Sequence, residues 1–210
     1  MDMILTGAGG RIQASYHKAK DPGAPIAVVF HDLPSNGGSM NEAAAYTVFY
    51  TLLQKGFSVV RFNFRGVGGT EGEFENGEAE LTDASTVVDW LQERHEDAVE
   101  FWLAGVGFGA WVAMQMLMRR IEITGYVSVL PPQRKYDFSF FSPAPCEGLV
   151  VGAGANPVTS DDSLKSFVAS INRQRAGRAE FVSIKDANQK FDGRLKELFT
   201  AVSAYVDKRK

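Results

Sequence analysis

The stretch FWLAGVGFG, Phe101 to Gly109, passes from an apolar run into glycines at 105, 107 and 109 and then directly into helix-patterned sequence. Apolar residues closed by a glycine turn predict a strand over 100–104, and the spacing from Gly109 to Arg120 predicts the helix that follows. The same alternation spreads in both directions. Upstream, Ile26 to Phe30 is a continuous β-rich run between Pro25 and the Pro34 to Gly38 turn cluster, the pattern of a strand buried on both faces. Met40 to Lys55 carries Ala44, Val48 and Leu52 at helical spacing and stops at Gly56, and Phe57 to Phe64 returns to a strand. A helix is predicted over 78–93. Downstream come strand Gly125 to Leu130, an irregular stretch from Pro131 to Glu147, strand Gly148 to Val151, helix Asp161 to Arg173, strand Ala179 to Ile184 and an amphipathic helix Arg194 to Lys208. Repeated βαβ units predict a mostly parallel, twisted central sheet with helices on both faces.

The chain has 210 residues, 45% hydrophobic and 22% charged, with a formal net charge of −3. This is the mix of an ordinary globular chain, long enough for one sizeable core, and a single domain over 1–210 is expected. The charge offers neither a basic stripe for nucleic acid nor a polybasic anchor for lipid. No segment approaches the roughly 20 apolar residues of a membrane helix, and Met1 to Gly10 lacks the basic start and long apolar run of a secretory signal. The one cysteine, Cys146, allows no internal disulfide, so a reducing, cytoplasmic setting is expected. Three scattered histidines and one cysteine supply no spaced metal-ligand set, and neither a metal nor another cofactor is expected. The GxGxG at 105–109 lies mid-chain without the acidic residue that a ribose contact needs, which sets the dinucleotide-loop reading aside.

Three segments point to one family. Gly105, Val106, Gly107, Phe108 and Gly109 stand where a nucleophile elbow has GxSxG. His31 to Met40 reads HDLPSNGGSM, and Arg61 to Phe74 reads RFNFRGVGGTEGEF. Together they resemble the small, lidless bacterial α/β-hydrolases, similar to dienelactone hydrolases and serine esterases, that carry HPHPxxGGxM and FNFRGVGxSxGxF. The resemblance extends through Leu81, Asp83, Asp89 and Trp90 and through YDFSF at Tyr136 to Phe140. It implies an α/β-hydrolase fold with no lid domain and a pocket comparatively open to solvent. It also implies where the catalytic groups belong. The serine position is Gly107. The acid, expected in a segment such as HGDADxVVP, falls on Asn156 of GAGANPV, and the histidine, expected in PGANHFFxG, falls on Gln189 of DANQKFDG.

Acyl transfer through a covalent intermediate needs a hydroxyl or thiol, a base that accepts its proton, and an acid that orients the base. Glycine has no nucleophile, a Gln amide is no base near neutral pH, and Asn carries no charge to steady an imidazolium. The chain thus reads as a family member with a degenerate triad, a pseudoenzyme whose retained pocket is neutral and polar. Glycine at the elbow also relieves the backbone strain that other residues bear there. The pocket and oxyanion loop are expected to hold His31, Asp32, Leu33, Ser35 and Phe108, and the occupant to be a small molecule or a protein partner, with the oligomeric state left open. Two rivals stand beside this. One is a hydrolase or lyase with relocated machinery built around His31, Asp32, Ser35 and Cys146. The other is a structural subunit of a larger assembly. His17, near the end of an early strand, and His95, at a helix end among charges, read as surface residues rather than ligands, and Asp161 with Asp162 as a helix start, where carboxylates complement the dipole.

Overall fold

Side-chain alternation along three central strands divides the core into two layers. In β3 (Ile26–Phe30) the residues Ile26, Val28 and Phe30 join one apolar cluster and Ala27 and Val29 the other. In β5 (Phe101–Val106) Phe101 and Leu103 oppose Trp102, Ala104 and Val106 in the same way, as do Val60 and Val59 in β4 (Ser58–Phe62). Successive Cβ atoms of a strand point to opposite faces, so a run apolar at every position demands cover on both sides. The first layer is covered by α2 (Glu78–Glu93), α3 (Phe108–Leu117) and α4 (Asp161–Ile171), the second by α1 (Ala43–Gln54) and α5 (Leu195–Arg209).

The computed structural model describes residues 2–173 and 178–209. With β1 (Asp2–Gly7), β2 (Gly10–His17), β6 (Gly125–Val129), β7 (Glu147–Ala153) and β8 (Ala179–Ile184), the strands form one sheet in the order β1-β2-β4-β3-β5-β6-β7-β8. From β4 to β8 every pair is parallel. The amino-terminal hairpin is antiparallel within itself and to β4. It lies outside the βαβ pattern predicted above, which begins at Ile26; Leu5, Ile12 and Ala14 turn inward and tie it to the first layer. Among the described residues no helix is long and apolar enough to cross a membrane.

The stretch RFNFRGVGGTEGEF has a structural task. Arg65 forks onto Asp83 of α2, Nε to Oδ2 at 2.9 Å and Nη2 to Oδ1 at 2.8 Å, with both side chains largely buried. Asn63 Oδ1 accepts the Met40 N–H at 2.8 Å, and its amide donates to Gln13. The segment thereby clamps the loop after β3 to the hairpin. The irregular stretch between β6 and β7 holds one 3-10 turn, Ser139–Phe141, and packs Tyr136, Phe138 and Phe141 into the first layer beside α3.

Candidate functional site

Strand register sets the site. Phe30 lies opposite Gly105 in the parallel pair of β3 and β5, so two residues further on Asp32 and Gly107 emerge together at the carboxyl ends. Here the chain leaves β3 for β4 on one flank and comes back as β5 on the other, the topological switch point at which open α/β sheets bind ligands. Gly107 has φ +53° and ψ −119°, a backbone that glycine adopts without the penalty borne by other residues. The flanking glycines permit the sharp turn: a Cβ on Gly109 would run into the carbonyls of Phe30 and His31. The elbow geometry therefore survives without its side chain.

The space that a side chain at 107 would take is filled by Asp32. A Cβ on Gly107 would overlap the Asp32 carboxylate. Asp32 Oδ1 accepts the Phe108 N–H at 2.8 Å, and Oδ2 accepts from Asn36 Nδ2 at 2.8 Å. In elbow-type hydrolases the N–H of the residue after the nucleophile helps to hold the oxyanion. Asp32 thus occupies both the space that a side chain at 107 would take and the Phe108 N–H. Its own N–H donates to Glu42 Oε1 at 2.9 Å, drawing the carboxyl of Glu42 to the same spot from the residue before α1.

Two adjoining cavities flank this point. One, of about 510 Å³, is walled by Asp32, Ser35, Glu42, Val106, Lys190 and Asp192 among others. The other, of about 210 Å³, includes Gly107, Leu33, Leu130, Arg134, Lys135 and Asn156. Asp32, Asn36, Val106 and Gln189 belong to both. Gly107, Asn156, Gln189, Asp32, Leu33 and Ser35 all lie along these two adjoining cavities.

Three expectations are corrected. The pocket is not neutral: Asp32, Glu42 and Asp192 outnumber Lys190 in the larger cavity, and Arg134 and Lys135 line the smaller. His31 and Phe108 do not line either cavity with their side chains. His31 is 1% exposed, accepts the Phe64 N–H at Nε2 (2.9 Å) and meets the Asp32 carbonyl with Nδ1 at 2.6 Å, so both ring nitrogens are engaged in holding the loop. Phe108 is fully buried against Phe64, Phe74 and Tyr136 and offers only its N–H. The relocated set is also not assembled, because Cys146 lies just before the amino end of β7, whereas His31, Asp32 and Ser35 follow the carboxyl end of the parallel strand β3. Burial, the largest influence, pushes the Cys146 thiol up to about 12, away from nucleophilic use.

Glu42 is the group that sequence reading missed. The available signals were its place just before α1 and the Asp32 and Leu33 that stand where HPHPxxGGxM has proline and histidine. Asn156 spends Oδ1 on the Val158 N–H at 2.9 Å within its own turn, and Gln189 is exposed.

Titration at the site runs in two opposed directions. Burial pushes His31 down to about 4, outweighing its bond to the Asp32 carbonyl. The unfolded chain, at the ordinary 6.5, then binds that proton more tightly, so stability is lost as pH falls from about 6.5 to about 4. Burial first, and then the Asp32 charge, raise Glu42 from 4.5 to about 7, against the lowering effect of the Asp32 N–H. The folded state holds this proton more tightly, so stability is lost as pH rises from 4.5 through about 7. Glu42→Gln keeps an acceptor for the Asp32 N–H and removes the second slope. Urea titrations are expected to show the variant gaining about 2 kcal/mol on the parent between pH 5 and pH 8, after allowance for Glu42 being only partly buried; an unchanged difference would remove Glu42 as the source.

Sheet order, elbow and crevice together define the α/β-hydrolase fold. The chain belongs to the X-Pro dipeptidyl-peptidase (S15) family, whose model matches residues 10–141. A Rickettsia prowazekii protein of uncharacterised function, RP471, is 38% identical over 97% of this chain and 87% of its own length. Among solved structures, ATU1826 from Agrobacterium tumefaciens, a protein of unknown function, superposes with a TM-score of 0.96 at 38% identity, covering 100% of this chain and 96% of its own. XC6422 from Xanthomonas campestris, a serine hydrolase without a lid, gives 0.88 at 27% identity over 99% and 94% of the two chains.

Proposed function

We propose that this chain is a single-domain, cytoplasmic member of its family that binds a small molecule in the crevice and does not hydrolyse it. The observation that carries this is the Asp32 carboxylate, bonded to the Phe108 N–H and seated where a nucleophile side chain would stand. An acyl carbonyl reaching for that N–H meets an anion already in place. Even with Asp32 aside, the positions for nucleophile, acid and base hold Gly107, Asn156 and Gln189, and loss of one member of a triad already costs orders of magnitude in rate.

Backbone strain at the cavities favours a retained task. Leu130, in the wall of the smaller one, has φ +51°, and Phe191, between two residues of the larger, has φ +55°. Each such conformation costs on the order of 1–3 kcal/mol and persists where the surroundings enforce it, typically at ligand sites. The purified protein is expected to turn over 4-nitrophenyl acetate, 4-nitrophenyl butyrate and alanyl-prolyl-4-nitroanilide no faster than buffer, and to take no label from a fluorophosphonate probe. Turnover that disappears in Asp32→Ala or Glu42→Gln would sink the non-hydrolytic reading.

A further inference from the structure

Asp32 is 9% exposed and lines both cavities. Its hydrogen bonds come from neutral donors, the Phe108 N–H and the Asn36 amide. Glu42 stands beside it with Oε1 on the Asp32 N–H, while Oε2 accepts no hydrogen bond among the described residues. Neither carboxyl group forms an ion pair with a described residue. Lys190, exposed to solvent, acts on Glu42 only through space. Buried charges in proteins are almost always paired or bound to a metal. Here Asp32, Glu42 and Asp192 line a 510 Å³ cavity against one lining cation, Lys190, which is exposed and ion-pairs with neither Asp32 nor Glu42, so acidic groups are in excess.

We propose that the crevice binds a small organic cation, a primary ammonium or guanidinium whose charged head lies against Asp32 and Glu42. This rests on the binding reading above and names the ligand class of the same site. A free metal ion suits the place less well, because no group of three or more His, Cys, Asp or Glu among the described residues can hold one. An N–H-rich head matches the acceptors. Each oxygen of Asp32 has lone-pair capacity beyond its one bond, and Glu42 Oε2 is open. The ligand's body meets Val106, Ala43 and Ala44 on the same walls. The smaller cavity beyond carries the cations Arg134 and Lys135 with Leu130 and Val158, so a ligand long enough to cross gains from an apolar or anionic tail.

Binding is linked to Glu42. It titrates at about 7 facing Asp32 from the β3 loop and Lys190 and Asp192 from the loop before α5. A bound cation favours its ionised form, so affinity rises with pH and a proton is released when binding occurs near neutrality.

Isothermal titration of the full chain with n-pentylammonium and phenethylammonium, against pentan-1-ol and pentanoate as neutral and anionic partners of equal length, tests this. The ammonium ions are expected to bind at least about tenfold more tightly than either control. Asp32→Asn, which keeps an acceptor for the Phe108 N–H, is expected to weaken them about tenfold or more, and Glu42→Gln to flatten the rise between pH 6 and pH 8. Circular dichroism and melting of both variants confirm that each is folded before titration. Equal affinity for the alcohol, affinity unchanged in both variants, or magnesium displacing the ammonium at equal concentration would overturn the proposal. Ester turnover is measured on the same samples. Turnover alongside ammonium binding defeats only the non-hydrolytic reading, and absence of both defeats only the cation site.

Discussion

Gly107→Ser is expected to leave the protein unable to cleave 4-nitrophenyl butyrate and markedly less stable. A side chain there takes on the left-handed backbone at φ +53° and collides with the Asp32 carboxylate. The first effect costs about 1–3 kcal/mol. The second forces Asp32 off the Phe108 N–H and the Asn36 amide, adding about 1–3 kcal/mol for polar groups left without partners. For a chain of this size the sum corresponds to a melting temperature lower by about 5–15 °C. Adding Asp32→Ala to the same chain relieves the collision, so the double variant is expected to be more stable than the sum of the two single effects, a coupling of about 1–2 kcal/mol. Placing Ser, Asp and His at the three positions, with Gly107→Ser, Asn156→Asp and Gln189→His together, is expected to yield no esterase until Asp32 is also removed. Additive single effects in thermal melts, or esterase in the triple variant with Asp32 intact, would show that Asp32 does not occupy the elbow.

Asp83→Ala is expected to destabilise the fold by about 3–5 kcal/mol, because it strands a guanidinium whose side chain is only 10% exposed. Arg65 keeps a long contact to Glu75, but that carboxylate is 64% exposed and compensates weakly. Replacing both members, Arg65→Met with Asp83→Leu, is expected to recover most of the loss, since apolar residues of similar volume often substitute for a buried ion pair at little cost. Urea midpoints at unchanged slope decide it. If the double variant is no better than the single, the pair is needed for something other than neutralising charge, such as the placement of the loop that Asn63 holds through Met40.

These two results separate what the chain encodes locally from what it encodes at a distance. Strand β3 and helix α2 appear in the sequence at the bounds the structure has, Ile26–Phe30 and Glu78–Glu93, because each depends on near neighbours: an apolar run for a strand buried on both faces, and helical periodicity closed by polar ends. The elbow was legible for the same reason, its five residues being consecutive. In the amino-terminal hairpin the strand ending at His17 was legible, whereas β1 escaped because it is an edge strand with exposed positions, whose pairing is decided by β2 rather than by its own pattern.

The sequence by itself determined that the chain adopts the hydrolase scaffold and that a side chain is lacking at 107, since both are properties of local residue types. Only the tertiary structure decided what stands in that gap. Asp32 and Gly107 are 75 positions apart in the chain yet adjacent in space, brought together by the parallel register of β3 and β5. Glu42 joins them through one backbone hydrogen bond, and burial there gives its carboxyl a proton affinity that no residue type carries alone. Gly107, Asn156 and Gln189 at the triad positions suggest a neutral pocket, and geometry makes it charged, because the direction in which a carboxylate points is fixed by the donors around it.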